Sequence, residues 1–191
     1  SSTYLNFGSL IGPISLDDPS GTKIFGKKDS NITSFTVGHS GSGSFSATGL
    51  PPGLSINSAS GVISGATSVT GSQNFTVTAT GTTAGGGTVT VSKVYTVEIS
   101  DPSSFPFRMD LTIASSKVNS TLTDFPLLVS LSTSITGFSY NALLDPDSDG
   151  IRTGGDLRFY ASNGKELAYE IADWNTSGTS NIWVKVPTIS S

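Results

Sequence analysis

Residues 49–65, GLPPGLSINSASGVISG, decide the fold of the first half of the chain. The run LSI alternates apolar and polar residues, and the run VIS follows the turn residues SASG, so the stretch predicts a β-hairpin. Pro51 and Pro52 disfavour a helix and hold the entry to the hairpin extended. The stretch carries no group suited to catalysis, so its information concerns architecture.

Short alternating strands and tight turns continue through the first hundred residues. The run FTVTA at residues 75–79 has the period of two of a half-buried strand. A second such run spans 89–99, and Lys93 alone breaks it, which predicts a bulge or a sheet edge there. The basic residues within 23–29 are interpreted as a solvated loop. Six to eight strands without a helix predict a β-sandwich.

Composition narrows the class of protein. The 191 residues suffice for two domains, and only 13% of them are charged while 22 are glycine, as many strands and turns require. The net charge of −4 and the scattered basic residues argue against nucleic acid or an anionic membrane as partner. Cysteine is absent, which excludes thiol catalysis, and no apolar run is long enough to span a bilayer. Abundant Ser, Thr and Gly favour an extracellular or cell-surface location.

A domain boundary is predicted at the linker DPSS, residues 101–104, because nine of the fourteen acidic residues follow Asp101. The predicted domains are 1–101 and 102–191. Short strands are expected in the second domain at 109–114, 125–131, 156–160, 167–171 and 182–186. The fold class is therefore all-β, with two tandem antiparallel β-sandwiches, the first immunoglobulin-like and the second jelly-roll-like.

The run SATGLPPGLSINSASGVISGATSVTGSQNFTVTAT, followed by VYTVEIS, resembles the immunoglobulin-like, cadherin-like domain of bacterial surface proteins. The resemblance covers residues 10–100 and implies a stalk unit of an adhesin or an accessory module of a secreted enzyme. Related cadherin-like domains bind calcium at their junctions. The only acidic residues that would match such a site here are Asp17 and Asp18.

The order LTDFPLLVSL, GGDLRFYASNGKELAYEIADWN, NIWVKVP is similar to the family called domain of unknown function 2341, over residues 107–187. The family implies no catalytic role. Its members continue beyond the WVKVP strand into one more strand, whereas this sequence ends at Ser191. The resemblance therefore implies either a fragment or a partner that supplies the last strand.

Residues 145–156, DPDSDGIRTGGD, carry the best candidate for a metal site. Asp145, Asp147, Asp149 and Asp156 have the spacing of positions 1, 3, 5 and 12 of a calcium loop, and the carbonyl of Ile151 stands at position 7. Asp replaces the usual Glu at position 12, and Pro146 stiffens the start. The alternative is an ordinary acidic turn. We expect calcium to bind and to raise the melting temperature.

Candidate catalytic groups are few. His39 is the only histidine and lies in a Gly and Ser tract without a partner that would complete a triad. Glu166 and Glu170 are four residues apart, a spacing that would place two carboxylates on one face of a strand. The exposed turn before Glu166 favours a structural role. The sequence therefore predicts a protein that is not an enzyme.

Aromatic residues suggest a ligand platform centred on Trp174, with Tyr160 and Tyr169 and with Trp183, because flat rings stack on sugar rings. The competing interpretation packs Trp183 in the core and leaves Trp174 at a strand end. Carbohydrate binding, as an accessory module of a larger secreted enzyme or adhesin, is accordingly the alternative function.

The favoured function is structural or adhesive, at a microbial cell surface or in an extracellular filament. Leu5, Phe7 and Ile11 share one parity, so the N-terminal segment is a candidate strand that completes the open sheet of a neighbouring subunit. The expected partners are copies of the same chain or neighbouring domains of a longer chain.

Overall fold

The computed structural model describes residues 14–19, 21–143 and 153–190. The chain divides into two compact units between Asp101 and Pro102. Strands dominate both units, and the described helical segments are single 3₁₀ turns, so the all-β prediction is confirmed. Within the described residues no helix has the length and apolar character needed to cross a membrane.

The described part of the first unit contains nine strands, and most belong to two sheets that enclose one core. A four-stranded sheet has the order β2-β9-β8-β5, a three-stranded sheet has the order β3-β7-β6, and β1 pairs with β4. The strands are β1 Ile14–Leu16, β2 Lys23–Lys27, β3 Phe35–Thr36, β4 His39–Gly41, β5 Ser44–Thr48, β6 Leu54–Ile56, β7 Val62–Gly65, β8 Gly71–Thr82 and β9 Thr88–Ser100.

The predicted hairpin is confirmed as the antiparallel pair β6–β7. The side-chain oxygen of Asn57 accepts hydrogen bonds from the backbone of Ala59 and Ser60, each at 2.9 Å, which closes the turn. Gly53 and Gly65 both have positive φ, and a Cβ on Gly53 would lie 2.0 Å from the carbonyl oxygen of Ala66. Gly53 and Gly65 are therefore required by close backbone contact.

Two details of the first unit differ from the sequence-based picture. Residues 23–27, interpreted as a loop, form β2, and β2 pairs with β9 in parallel, so the sandwich is not wholly antiparallel. Lys93 causes no bulge in β9, because β8 and β9 pair in continuous register past it. Since β2 reaches only Thr96–Ser100 of β9, residues 88–94 form an edge among the described strands. The edge accommodates the lysine stem.

The core of the first unit centres on Tyr95, which is 1% exposed. Its ring stacks on Phe75 at 5.7 Å between centroids and meets Phe35 edge-on at 6.1 Å. Its hydroxyl donates a 2.5 Å hydrogen bond to Asp18 Oδ2, which also accepts from the Gly38 backbone at 2.6 Å. These two hydrogen bonds hold Asp18, in the loop after β1, against the core residue Tyr95 and the backbone of Gly38.

The second unit, as far as its residues are described, has one long sheet and one very short one. The sheet of order β10-β14-β13 is antiparallel, and β11 pairs with β12 over two residues. The strands are β10 Leu122–Ser132, β11 Phe159–Tyr160, β12 Glu166–Leu167, β13 Tyr169–Asp173 and β14 Thr179–Ile189. The core lies on the inner face of the long sheet, with Val129, Leu131, Leu167, Ile182 and Val184 at its centre.

A strand predicted at residues 109–114 is absent from the described structure, where that segment has no regular secondary structure. The strand predicted at 156–160 is reduced to Phe159–Tyr160, and the one predicted at 167–171 is divided between β12 and β13. Among the described residues, the second unit consequently has one layer of three paired strands and one layer with only β11 and β12, which we call the incomplete layer.

Candidate functional site

The segment before β10 exposes a regular row of apolar side chains. Every second residue from 105 to 113 is large and apolar, and each of these side chains is 36–64% exposed. We call this row the 105–113 stripe; its members are Phe105, Phe107, Met109, Leu111 and Ile113. The intervening residues are PRDT, so the sequence has the period of a strand with one apolar face. Among the described residues it is joined to no strand.

Phe105 locates one end of the stripe within the second unit. Its ring lies 6.3 Å from that of Tyr160, in the short β11–β12 hairpin. Among the described residues, the incomplete layer therefore contains β11 and β12, and the 105–113 stripe approaches it at Phe105. The alternation in FPFRMDLTI was visible in the sequence, but only the structure reveals that it lacks a partner strand in the described part of the chain.

The candidate ligand residue Trp174 is half-buried and packs against the core of the second unit. Its ring meets Tyr140 edge-on, with centroids 5.4 Å apart and an angle of 89°. Gly154 contacts the other part of the indole so closely that a Cβ there would lie 2.5 Å from Cη2. The expected companions point elsewhere: Tyr169 packs on Phe159 at 5.3 Å. These rings form no common platform.

Trp174 lies directly after β13, at a strand end as the competing interpretation expected, whereas Trp183 lies in the middle of β14. The expectation that Trp183 packs in the core is wrong, because its side chain is 42% exposed on the outer face of β14. Its neighbours Ile182 and Val184 are the buried ones, at 0% and 2% exposure. With a period of two, two buried neighbours place Trp183 outward. The alternation was recognised correctly, but its parity was not.

The proposed calcium loop is described only at its end. Asp145, Asp147, Asp149 and Ile151 lie outside the described residues. Asp156 is half-buried, and its Oδ1 atom is inaccessible to solvent. Hard oxygen donors suit calcium, and a carboxylate oxygen buried at position 12 fits such a ligand set. In the described part of the chain no three His, Cys, Asp or Glu side chains form a metal-binding group.

The carboxylates considered for catalysis belong to different sheets. Glu166 is in β12 and lies 3.4 Å from Arg158, whereas Glu170 is in β13. Burial and the nearby charge of Glu166 raise the pKa of Tyr160, and Arg158 opposes this shift. His39 is exposed and packs its ring on Phe45 at 4.8 Å. These contacts are structural.

Leu5, Phe7 and Ile11, the candidate assembly residues, lie outside the described residues. The first described residue after them is Ile14, which is 2% exposed in the core of the first unit.

A family model described as "Putative Ig domain" matches residues 13–130, more than half of the chain. The chain belongs to this Ig-like domain family. A second model, "Domain of unknown function (DUF2341)", matches residues 153–191. The predicted order of an Ig-like domain followed by a DUF2341 module is confirmed. Both are non-catalytic domain types, and the Ig-like type is typical of surface proteins.

The extents of the matches differ from the predicted limits. The Ig-like match continues beyond residue 101, where the first compact unit ends, to residue 130. The DUF2341 match begins at residue 153, after β10. Residues 102–130, which include the 105–113 stripe, therefore belong to the second unit structurally although the Ig-like match includes them.

No curated protein matches the Ig-like chain. Among solved structures, it is similar to a protein titled a putative alpha-galactosidase from Bacteroides fragilis, with 26% sequence identity and a TM-score of 0.38. That similarity covers 46% of this chain and 17% of the other. The chain thus corresponds to less than a fifth of that protein's length.

Proposed function

We propose that this chain is a non-catalytic extracellular structural or adhesive protein, part of a microbial cell surface or an extracellular filament. Its subunits join by β-strand addition, in which a strand of one copy completes a sheet of the next. The Ig-like family supports a surface role, since such domains are typical of surface proteins. The observation that carries the proposal is the exposed 105–113 stripe beside the incomplete layer of the second unit.

The free energy gained by burying the 105–113 stripe can be compared with the free-energy cost of association. Complete burial of a large apolar side chain contributes about 1.5–3 kcal/mol, so covering five that are about half exposed contributes roughly 4–7 kcal/mol. Association costs an estimated 4–15 kcal/mol in lost freedom. Apolar burial therefore offsets only the lower part of that cost. A ladder of backbone hydrogen bonds has to provide the remainder, which favours a strand as the partner.

The N-terminal segment is the proposed donor. Leu5, Phe7 and Ile11 are apolar residues of one parity and would lie on one face of a strand, so a donor paired with the stripe would add its apolar side chains to the same face of the extended sheet. Deleting residues 1–12 should abolish assembly and leave folded monomers, because Ile14 and the core around it are retained. Sedimentation velocity and negative-stain electron microscopy, at neutral pH with calcium, measure the outcome. Filaments formed by the deleted protein would exclude this donor.

The proposed acceptor is tested by making the stripe polar. Phe107 and Leu111 are exposed, at 64% and 51%, so replacing both with Gln should hardly affect monomer stability yet should prevent assembly. Thr112→Gln is the matched control, since it adds the same amide at a position of the other parity. Equal loss of assembly in the control would contradict the proposal. Dispersed two-lobed particles of the wild type would favour neighbouring domains of a longer chain as the partner.

Calcium is the proposed cofactor of the 145–156 loop. Asp145, Asp147, Asp149 and Asp156, with the carbonyl of Ile151, would supply oxygen ligands and stiffen the second unit. Calcium should raise its melting temperature above the value in chelator, and Asp156→Asn should reduce that increase. Magnesium at the same concentration is the control, because it prefers a smaller octahedral site. The same melting temperature with calcium and with chelator would refute a calcium site.

A further inference from the structure

The outer face of the long sheet in the second unit centres on Trp183. Trp183 lies on β14, the central strand, and is in register with Leu128 of β10 on one side and Glu170 of β13 on the other. Side chains in register across a sheet are about 5 Å apart at Cβ. Leu128 is 46% exposed and Trp183 is 42% exposed, so the two form an apolar surface next to a carboxylate.

Polar groups border the ring at one end. Asn181 lies two residues before Trp183 on the same face, and its Oδ1 accepts a 2.9 Å hydrogen bond from Ser130. A bulge between Ile171 and Asp173 brings Asp173 into register with Asn181. Bulges commonly re-aim a side chain, and this one adds a second carboxylate to the face. We call the set Leu128, Ser130, Glu170, Asp173, Asn181 and Trp183 the Trp183 face.

We propose that the Trp183 face binds a neutral carbohydrate. An exposed indole offers a flat surface for the apolar side of a sugar ring, and the neighbouring carboxylates and amide are hydrogen-bonding partners for its hydroxyl groups. The proposal extends beyond assembly and does not depend on it. It concerns a different face of the chain from the 105–113 stripe.

The charges of the face favour a neutral ligand over two other occupants. Glu170 and Asp173 would repel acidic polysaccharides. Lys185, two residues after Trp183 on the same face, forms an ion pair with Asp124 at 3.2 Å, so its charge is already matched. A second copy docking on this face would bury Glu170 and Asp173 in the interface, which is costly unless the partner copy supplies an opposite charge to each of them. A neutral polyol has neither disadvantage.

The face is also rigid before any ligand binds. β14 is hydrogen-bonded along both edges, to β10 and to β13, so its backbone has little freedom. The Ser130 hydrogen bond orients the Asn181 amide. A preformed site loses little conformational freedom on binding, which allows weakly interacting ligands such as sugars to bind a shallow surface.

The test is affinity electrophoresis of the full chain in native gels that contain, one at a time, β-glucan, xylan, galactomannan or pullulan, with pull-down on insoluble cellulose and chitin. At least one of these probes should retard or retain the wild type. Trp183→Ala should bind it about 30-fold more weakly, as expected for loss of a central aromatic contact. Glu170→Gln should weaken binding less, because the ring is retained.

Phe107→Ala is the matched control, since it removes another exposed aromatic ring from the 105–113 stripe and should leave binding unchanged. The emission of Trp174, the remaining tryptophan of the Trp183→Ala protein, verifies that this variant is folded. The proposal is overturned if no probe binds the wild type, or if Trp183→Ala binds as strongly as wild type. It is equally overturned if Trp183→Ala only removes self-association in sedimentation velocity, because the face would then be a contact between copies.

Discussion

Replacing Tyr95 with Phe removes one hydroxyl from the centre of the first unit and leaves the ring in place. That hydroxyl donates to Asp18 Oδ2 at 2.5 Å, and the same oxygen holds the Gly38 backbone at 2.6 Å. The ring contacts with Phe75 and Phe35 do not involve the hydroxyl. The substitution therefore isolates the hydrogen bond that fastens the Asp18 loop.

The expected loss of stability near neutral pH is about 2 kcal/mol, since a hydrogen bond to a charged group contributes about 1.5–3 kcal/mol. For a unit of about one hundred residues, a loss of this size lowers the melting temperature by roughly 10 °C. Asp18→Asn retains an acceptor for Tyr95 without the charge. It should therefore cost less, about 1 kcal/mol.

The loss should depend on pH in a defined direction. Burial raises the pKa of Tyr95, and the hydrogen bond to Asp18 with the charges of Asp18 and Asp17 raises it further. An unfolded tyrosine loses its proton near pH 10, whereas the folded Tyr95 retains it, so this stabilising contribution is complete below pH 10 and declines above it. The decline is about 1.4 kcal/mol per pH unit, so wild type and Tyr95→Phe should become about equally stable near pH 11.5.

Calorimetry at pH 7, 9, 10.5 and 11.5 measures the difference. Both tryptophans, Trp174 and Trp183, belong to the second unit, so tryptophan fluorescence reports that unit and should be unchanged by the substitution. A decrease in melting temperature below about 2 °C at pH 7 would refute the role assigned to Asp18. A difference that stays constant from pH 9 to 11.5 would refute the raised pKa.

Two further substitutions test close packing and a buried hydrogen-bond network. Gly53→Ala should destabilise the first unit by about 2–3 kcal/mol, because φ is positive and the new Cβ meets the Ala66 carbonyl, while Gly85→Ala, with open space around it, should be neutral in the same thermal melts. Tyr140→Phe should cost the second unit about 1–2 kcal/mol in urea denaturation, since its hydroxyl bonds both the Leu131 carbonyl and Ser180 Oγ at 2.8 Å. Unchanged stability in either variant would contradict the packing described.

Sequence patterns predicted the structure correctly where residues close together in the chain determine it. The hairpin of residues 49–65 was predicted correctly because its prolines restrict the backbone and its glycines permit the positive φ that its turns require. The strand at 23–27 was missed because its lysines suggested a loop, whereas Lys23 pairs with Glu98 at 3.0 Å across the parallel strands. A cross-strand ion pair involves residues far apart in sequence, and no local pattern reveals it.

The candidate sites also combine features that the local sequence predicts with features that depend on tertiary packing. Alternation in β14 predicted a strand, but the choice of face depended on which residues pack on Val129 and Leu167, so Trp183 was expected in the core although it lies on the outer face. Similarly, FPFRMDLTI has the period of a strand, yet only the sheet order reveals that no described strand pairs with it.

By itself, the sequence determined that this protein is all-β and that an Ig-like part is followed by a DUF2341 part. It also determined the hairpin at residues 49–65, whose turns depend on glycines and prolines. These properties follow from composition, period and turn chemistry, which act over a few residues. Tertiary structure decided which face of each strand is buried, which strands are neighbours and which apolar residues are left exposed. Those outcomes depend on long-range packing, because a strand's two faces become different only when another layer covers one of them.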